Sequence, residues 1–169
     1  MLKNFICCFK PNTESNIRDS VVSLSKINKV IEWKDTIPFV PPIEKGYVIK
    51  VYDGDTITIV SKLPYKESNL YRFSVRLNGI DCPEINSKDK NEKQCAELAK
   101  QELTNLVINQ LVTLKNVKTE KYGRILADVY IESLNVNNYM IEKRLAIEYD
   151  GGTKMSPKNW MKYYEAGVF

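Results

Sequence analysis

Histidine is absent from all 169 residues of the chain. That excludes every mechanism with imidazole as base or nucleophile, and every His-ligated zinc site. Catalysis by this chain must run on carboxylates, arginine, lysine, thiols or metal-bound water. Cysteine is scarce: Cys7, Cys8, Cys82 and Cys95, none in a C-x-x-C pair and two of them adjacent. Such spacing makes a poor disulfide framework and predicts reduced thiols of an intracellular protein, cytoplasmic or membrane-associated. Long apolar runs are missing as well. "FICCF" near the start is too short for a secretory core, and no run approaches a transmembrane span. Charge of one sign is not dominant either. With 25 basic and 21 acidic residues the net charge is +4, which permits an anionic partner without demonstrating one.

What remains is an ordinary globular composition, 43% apolar, long enough for one domain with an extension. Residues 1–45 read as that extension. Val21, Leu24, Ile27 and Ile31 follow helical spacing, and Pro38, Pro41 and Pro42 then read as a linker. Cys7 and Cys8, beside Phe5, Ile6 and Phe9 and flanked by Lys3 and Lys10, are candidates for lipidation and membrane association. Residue 2 is leucine, so an N-myristoylation signal is missing.

The folded domain is expected over 46–169. "YVIKVY" and "DTITIV" form a hairpin, "YRFSVRLNGI" a third strand, and "LVTLKNV" and "RILADVYI" two more. Cys95, Leu98, Ala99, Leu103 and Leu106 share one face of a helix, "VNNYMIEKRLA" is a second helix, and a third is capped by Ser156-Pro157 and stopped by Gly167. The fold class is therefore α+β, mainly β: a five-stranded OB-type barrel packed with about three helices. An open antiparallel sheet with helices on one face fits the same periodicity.

Within this pattern, "VYDGDTITIV" is anomalous, because carboxylates are unusual in a strand-forming run. Asp53-Gly54 reads as a tight primed turn with Gly54 at positive φ. Asp55 then starts the returning strand with no turn role of its own. "VRLNGIDCPE" supplies Arg76, Asp81 and Glu84 at the end of the third strand. Three carboxylates brought together need a cation, and hard oxygen ligands suit calcium or magnesium. Arg76 and Arg124 add planar forks that match phosphate. A metal, a spare carboxylate and two arginines are the parts of a phosphodiester hydrolysis site.

Taken in order, "DGDT", "VRLNGIDCPE", "EKYGRILADVYI" and "VNNYMIEKRLA" resemble the staphylococcal nuclease (thermonuclease) family from about residue 46 to about residue 150. The resemblance implies a nuclease of DNA and RNA that uses one calcium ion, favours single strands and leaves 3′-phosphate ends. It implies that Asp55, Asp81 and the backbone carbonyl of Cys82 ligate the ion, with cysteine standing where many members have threonine. Glu84 would position or deprotonate the attacking water. Arg76 and Arg124 would clamp the scissile phosphate, and Lys121 and Tyr122 would reach a terminal phosphate. Tyr149 is the nearest match to the aromatic residues that stack on a base. No protein partner is implied, and a monomer is expected. The alternative is a catalytically silent OB module that binds nucleic acid or protein.

Overall fold

The structure, a computed structural model, describes residues 30–120 and 123–169. The expectations for Cys7, Cys8, Val21, Leu24, Ile27, Lys121 and Tyr122 lie outside the described residues. The chain divides into two compact units, Met1–Ile37 and Pro38–Phe169. The described part of the first unit contains a single 3-10 turn, Trp33–Asp35, capped reciprocally by Glu32 and Asp35.

In the second unit the strands are β1 (Lys45–Val51), β2 (Thr56–Lys62), β3 (Leu70–Leu77), β4 (Ile80–Asp81), β5 (Leu111–Thr119), β6 (Ile125–Ile131), β7 (Leu134–Asn135) and β8 (Ile147–Glu148). The helices are α1 (Lys90–Val107), α2 (Val136–Glu142) and α3 (Trp160–Ala166). The five long strands run β3-β2-β1-β5-β6, and a parallel β3–β6 pairing closes them into a barrel. That closure decides between the barrel and the open sheet. Val75, Arg76 and Leu77 face Ile125, Leu126 and Ala127 across it.

Alternation along the strands fills the barrel with Val48, Ile57, Ile59, Val75, Leu77, Val112, Leu114, Ala127 and Val129, all buried. In β1 the period slips. Val48 and Lys50 pair with successive residues of β2, so Ile49 is the extra residue of a bulge, and Val51 becomes the next buried position. Outside the barrel, α1 buries Cys95, Ala96, Ala99, Leu103 and Val107. The proline-rich stretch differs from its expected linker role. Glu44 O accepts from Leu114 N at 2.7 Å, Phe39 O accepts from Thr119 Oγ1 at 2.9 Å, and Ile43 is buried. It runs as an extended strap on β5 and belongs to the barrel unit.

Two further expectations are corrected. Helix α3 is capped by Asn159, whose side chain accepts from Lys162 N, and not by Ser156-Pro157; Gly167 does end it, at φ 71°. Asn159 satisfies an orphan N–H of the first turn, and Pro157 is buried ahead of the helix. Gly54 is not at positive φ. The β1–β2 connection spans Tyr52 to Asp55, with Tyr52 N donating to Thr56 O at 2.8 Å. Gly54 is required by proximity instead. A Cβ there would lie 2.8 Å from Ala99 Cβ and 2.9 Å from Cys82 Sγ. This contact seats the loop against α1 and so fixes the height of Asp55.

Gly54→Ala is therefore expected to lower stability by about 2 kcal/mol through overpacking, since its backbone conformation suits alanine. Thermal unfolding measures this. A melting temperature equal to that of the unmutated protein would show that α1 does not constrain the loop.

Candidate active site

Three elements converge at the end of the barrel seam. Asp55 leaves the β1–β2 loop, where Asp53 Oδ1 accepts from Asp55 N at 3.2 Å, an Asx turn that gives Asp53 its local role. Asp55 O accepts from Leu77 N at 2.8 Å, tying the loop end to β3. Arg76 stands opposite Thr56 in the β2–β3 register. Asp81 lies on β4, which pairs with β8 through Ile147. The turn between β3 and β4 is held from behind by buried Asn137, which donates to Asn78 O at 2.7 Å and accepts from Val129 N at 2.9 Å.

One guanidinium joins two buried carboxylates. Arg76 Nη1 lies 2.6 Å from Asp55 Oδ2, and Nη2 lies 3.2 Å from Asp81 Oδ1. Asp55 and Asp81 are 4% and 6% exposed. Burial pushes the Asp55 carboxyl up to about 7 even though Arg76 pulls the other way and Thr56 Oγ1 donates to it at 2.8 Å. Burial also opposes the charge of Arg76, but Asp55 and Asp81 outweigh it and raise its pKa, so the guanidinium stays charged. Asp81 Oδ2 is fully buried and faces Lys154 Nζ at 2.7 Å; burial opposes the lysine's charge, but Asp81 and Glu84 outweigh it and raise its pKa.

Glu84 stands apart from this pair. Its side chain is 65% exposed and meets Lys154 Nζ at 3.4 Å. Its backbone N–H is held by Glu92 Oε1 at 3.2 Å, so α1 positions it. Arg124 follows the β5–β6 turn, which Gly123 closes at φ 78°. Arg124 is gripped by Glu120 in a bidentate pair, Nε–Oε2 2.6 Å and Nη2–Oε1 3.0 Å. Glu120 also lies in the field of Arg76 and lines, with Arg76, Ile80, Leu126, Tyr149 and Asp150, a cleft of about 390 Å³. Arg76 thus lines the cleft itself, while Arg124 is tied to it through its pair with Glu120. A groove of about 760 Å³ along the proline strap lies elsewhere and contains none of these residues.

The thiol of Cys82 is buried, and burial pushes its pKa well above the usual value. Such a thiol is inert toward metals and oxidants, which leaves the backbone carbonyl as the atom of Cys82 able to serve a cation. Among the described residues no three His, Cys, Asp or Glu side chains gather to hold a metal by themselves. The donors do fit a hard cation in another way. Two buried carboxylates share one guanidinium, and the second Asp81 oxygen is buried against the Lys154 ammonium. Oxygen ligands completed by a carbonyl and water match calcium chemistry.

Sequence reasoning missed Lys154 and Glu120. Opposite charges flanking the "EKYGR" turn could have disclosed Glu120. Nothing local could have disclosed Lys154, which is 70 residues from Glu84.

The buried Asp55 sets a pH dependence. Its folded pKa lies above the unfolded value of 3.8. The unfolded chain therefore ionises first, and stability falls as pH rises from about 4 to about 7, then levels. Without divalent cations, the melting temperature of the wild-type chain should drop across that window by several degrees relative to Asp55→Asn. Parallel curves for the two proteins would place the titrating group elsewhere.

Comparison with known proteins agrees with this arrangement. The staphylococcal nuclease homologue family model matches residues 74–166, just over half of the chain. A probable endonuclease of Schizosaccharomyces pombe is 31% identical across 63% of this chain and 56% of its own length. An uncharacterised endonuclease of Escherichia coli is 31% identical across 62% of this chain and 61% of its own. A probable endonuclease of Phaeosphaeria nodorum is 29% identical across 65% of this chain and 33% of its own. The chain thus spans between a third and about three fifths of these relatives. The matched segment contains Arg76, Asp81, Glu84 and Arg124 and closes the barrel, and the chain belongs to the staphylococcal nuclease homologue family.

Proposed function

We propose that this chain is a calcium-dependent nuclease that hydrolyses phosphodiester bonds of DNA and RNA. The observation that carries the reading is the sharing of one guanidinium by two buried carboxylates, Asp55 and Asp81. Asp55, Asp81 and the Cys82 carbonyl would hold one calcium ion, which when bound supplies Lewis-acid stabilisation of the phosphoryl oxygens. The endonuclease names of the relatives support the same substrate class.

The chain's own residues then have distinct tasks. Arg76 directs two N–H donors at the scissile phosphate once its carboxylate partners are otherwise compensated. Arg124, paired with the cleft residue Glu120, meets the negative charge that grows on the equatorial oxygens. Glu84 is open to solvent and accepts the proton of the attacking water. Water oxygen bonds to phosphorus, the bond to the 5′ oxygen breaks, and the phosphate stays on the 3′ end. Tyr149 lines the cleft and offers a face for a base; Lys121 and Tyr122 are proposed for a terminal phosphate. Single strands enter such a cleft more readily than a duplex. The intact set of Arg76, Arg124, Asp55, Asp81 and Glu84 argues against the silent binding module.

A nuclease assay on single-stranded DNA, duplex DNA and RNA tests this. Cleavage is expected with calcium and is expected to stop with excess chelator, while circular dichroism at neutral pH shows the fold retained. Undiminished turnover in chelator would remove the metal from the mechanism.

Arg124→Lys is expected to lower kcat by about a hundredfold or more, nearly as much as Arg124→Ala, because an ammonium cannot reproduce the two-pronged geometry. Its pair with Glu120 is partly exposed, so stability should change little. A change confined to KM would limit Arg124 to attracting the polyanion.

A further inference from the structure

Lys154 itself has no task in the proposed chemistry. It follows β8 on the connection to α3, where residues 150–156 are exposed and form neither helix nor strand. The connection is fixed at both ends. Tyr149 N donates to Gly79 O at 2.9 Å, and Trp160 is buried at the start of α3. Between these anchors the chain turns through Gly151 at φ 92° and Gly152, and Lys154 reaches back into the site. Its Nζ lies 2.7 Å from Asp81 Oδ2 and 3.4 Å from Glu84 Oε1.

That position is the one a divalent cation would need. Asp81 Oδ2 is buried, and the Lys154 ammonium is paired with it. An ammonium and a metal ion cannot both sit against the same carboxylate oxygen, since two cations at such spacing repel strongly in a partly buried site. Residues 150–156 are exposed and outside helix and strand, so withdrawal of the side chain into solvent need not move β4 or α3.

We propose that Lys154 is an internal counter-ion that competes with the divalent cation for Asp81 and Glu84 and thereby sets the metal affinity of the site. This rests on the calcium reading above. Cation binding and the Lys154 pairs are then linked: whatever weakens one strengthens the other. The same connection carries Tyr149 and Asp150, which line the cleft beside Arg76.

Calcium titration calorimetry on the full chain at physiological salt tests the competition. Lys154→Gln removes the charge and keeps most of the reach, and it is expected to bind calcium about three- to tenfold more tightly than wild type. Lys154→Arg keeps the charge and should stay within about twofold of wild type. Equal or weaker binding by Lys154→Gln would overturn the proposal. A second measurement does not depend on affinity. Amine acylation mapped by mass spectrometry should modify Lys154 slowly in chelator and several-fold faster in calcium, while Lys158, on the same connection, should be unaffected. Calcium binding with no change in Lys154 reactivity would overturn the competition alone. No calcium uptake by wild type or variant would overturn both the competition and the calcium reading.

Discussion

A single guanidinium compensates two carboxylates that the fold has removed from water, and the layout of the site depends on it. Asp55 and Asp81 come from separate segments, the end of the β1–β2 loop and the short strand β4. Arg76 is the charge that lets both be buried. Removing one partner from a buried pair typically costs about 3–5 kcal/mol, because the other charge is stranded. The compensation is also incomplete. Burial pushes the Asp55 carboxyl up to about 7 despite Arg76, and Asp81 Oδ2 relies on Lys154, from a connecting segment, for its counter-charge. A site optimised for stability alone would not leave that residue of negative donor capacity. A site that receives a cation would.

The barrel supplies the rigidity this arrangement needs. Arg76 lies where β3 pairs with β6 to close the barrel, so its backbone is held from two sides. Arg124 precedes Ile125, which faces Val75 across the same closure, and this brings the second arginine to the first from 48 residues away. Gly54 lets the Asp55 loop rest on Ala99 and Cys82, and Asn137 braces the turn before Asp81. Each charged group therefore has a separate mechanical anchor, while Glu84 and Lys154 stay toward solvent.

Much of this was legible in the sequence because it is local. Period-two alternation located the five long strands, and helical spacing located α1. The order of "DGDT", "VRLNGIDCPE" and "EKYGRILADVYI" pointed to the family, and the first two motifs hold the charges that pair around Arg76. The misreadings have physical causes. Asp-Gly looks like a primed turn whether glycine serves φ or close packing, and only the proximity of α1 separates the two at Gly54. Ser-Pro and Asn both cap helices, so Asn159 and Ser156 were indistinguishable until burial of Pro157 and Trp160 set the start of α3. Prolines at 38, 41 and 42 signal extended chain, but not whether it hangs free or lies on a strand. Lys154 carries no local pattern; its place follows from where β8 and α3 anchor the loop.

The most direct test of cation capture at the Arg76 pair is a crystal structure of the full chain with calcium and a short DNA strand carrying a non-hydrolysable linkage. The ion should lie about 2.3–2.6 Å from carboxylate oxygens of Asp55 and Asp81 and from the Cys82 carbonyl. Arg76 should have turned its N–H groups to the phosphate. An ion bound away from Asp55 and Asp81, or Arg76 still clamped on both carboxylates with the phosphate outside the cleft, would contradict it.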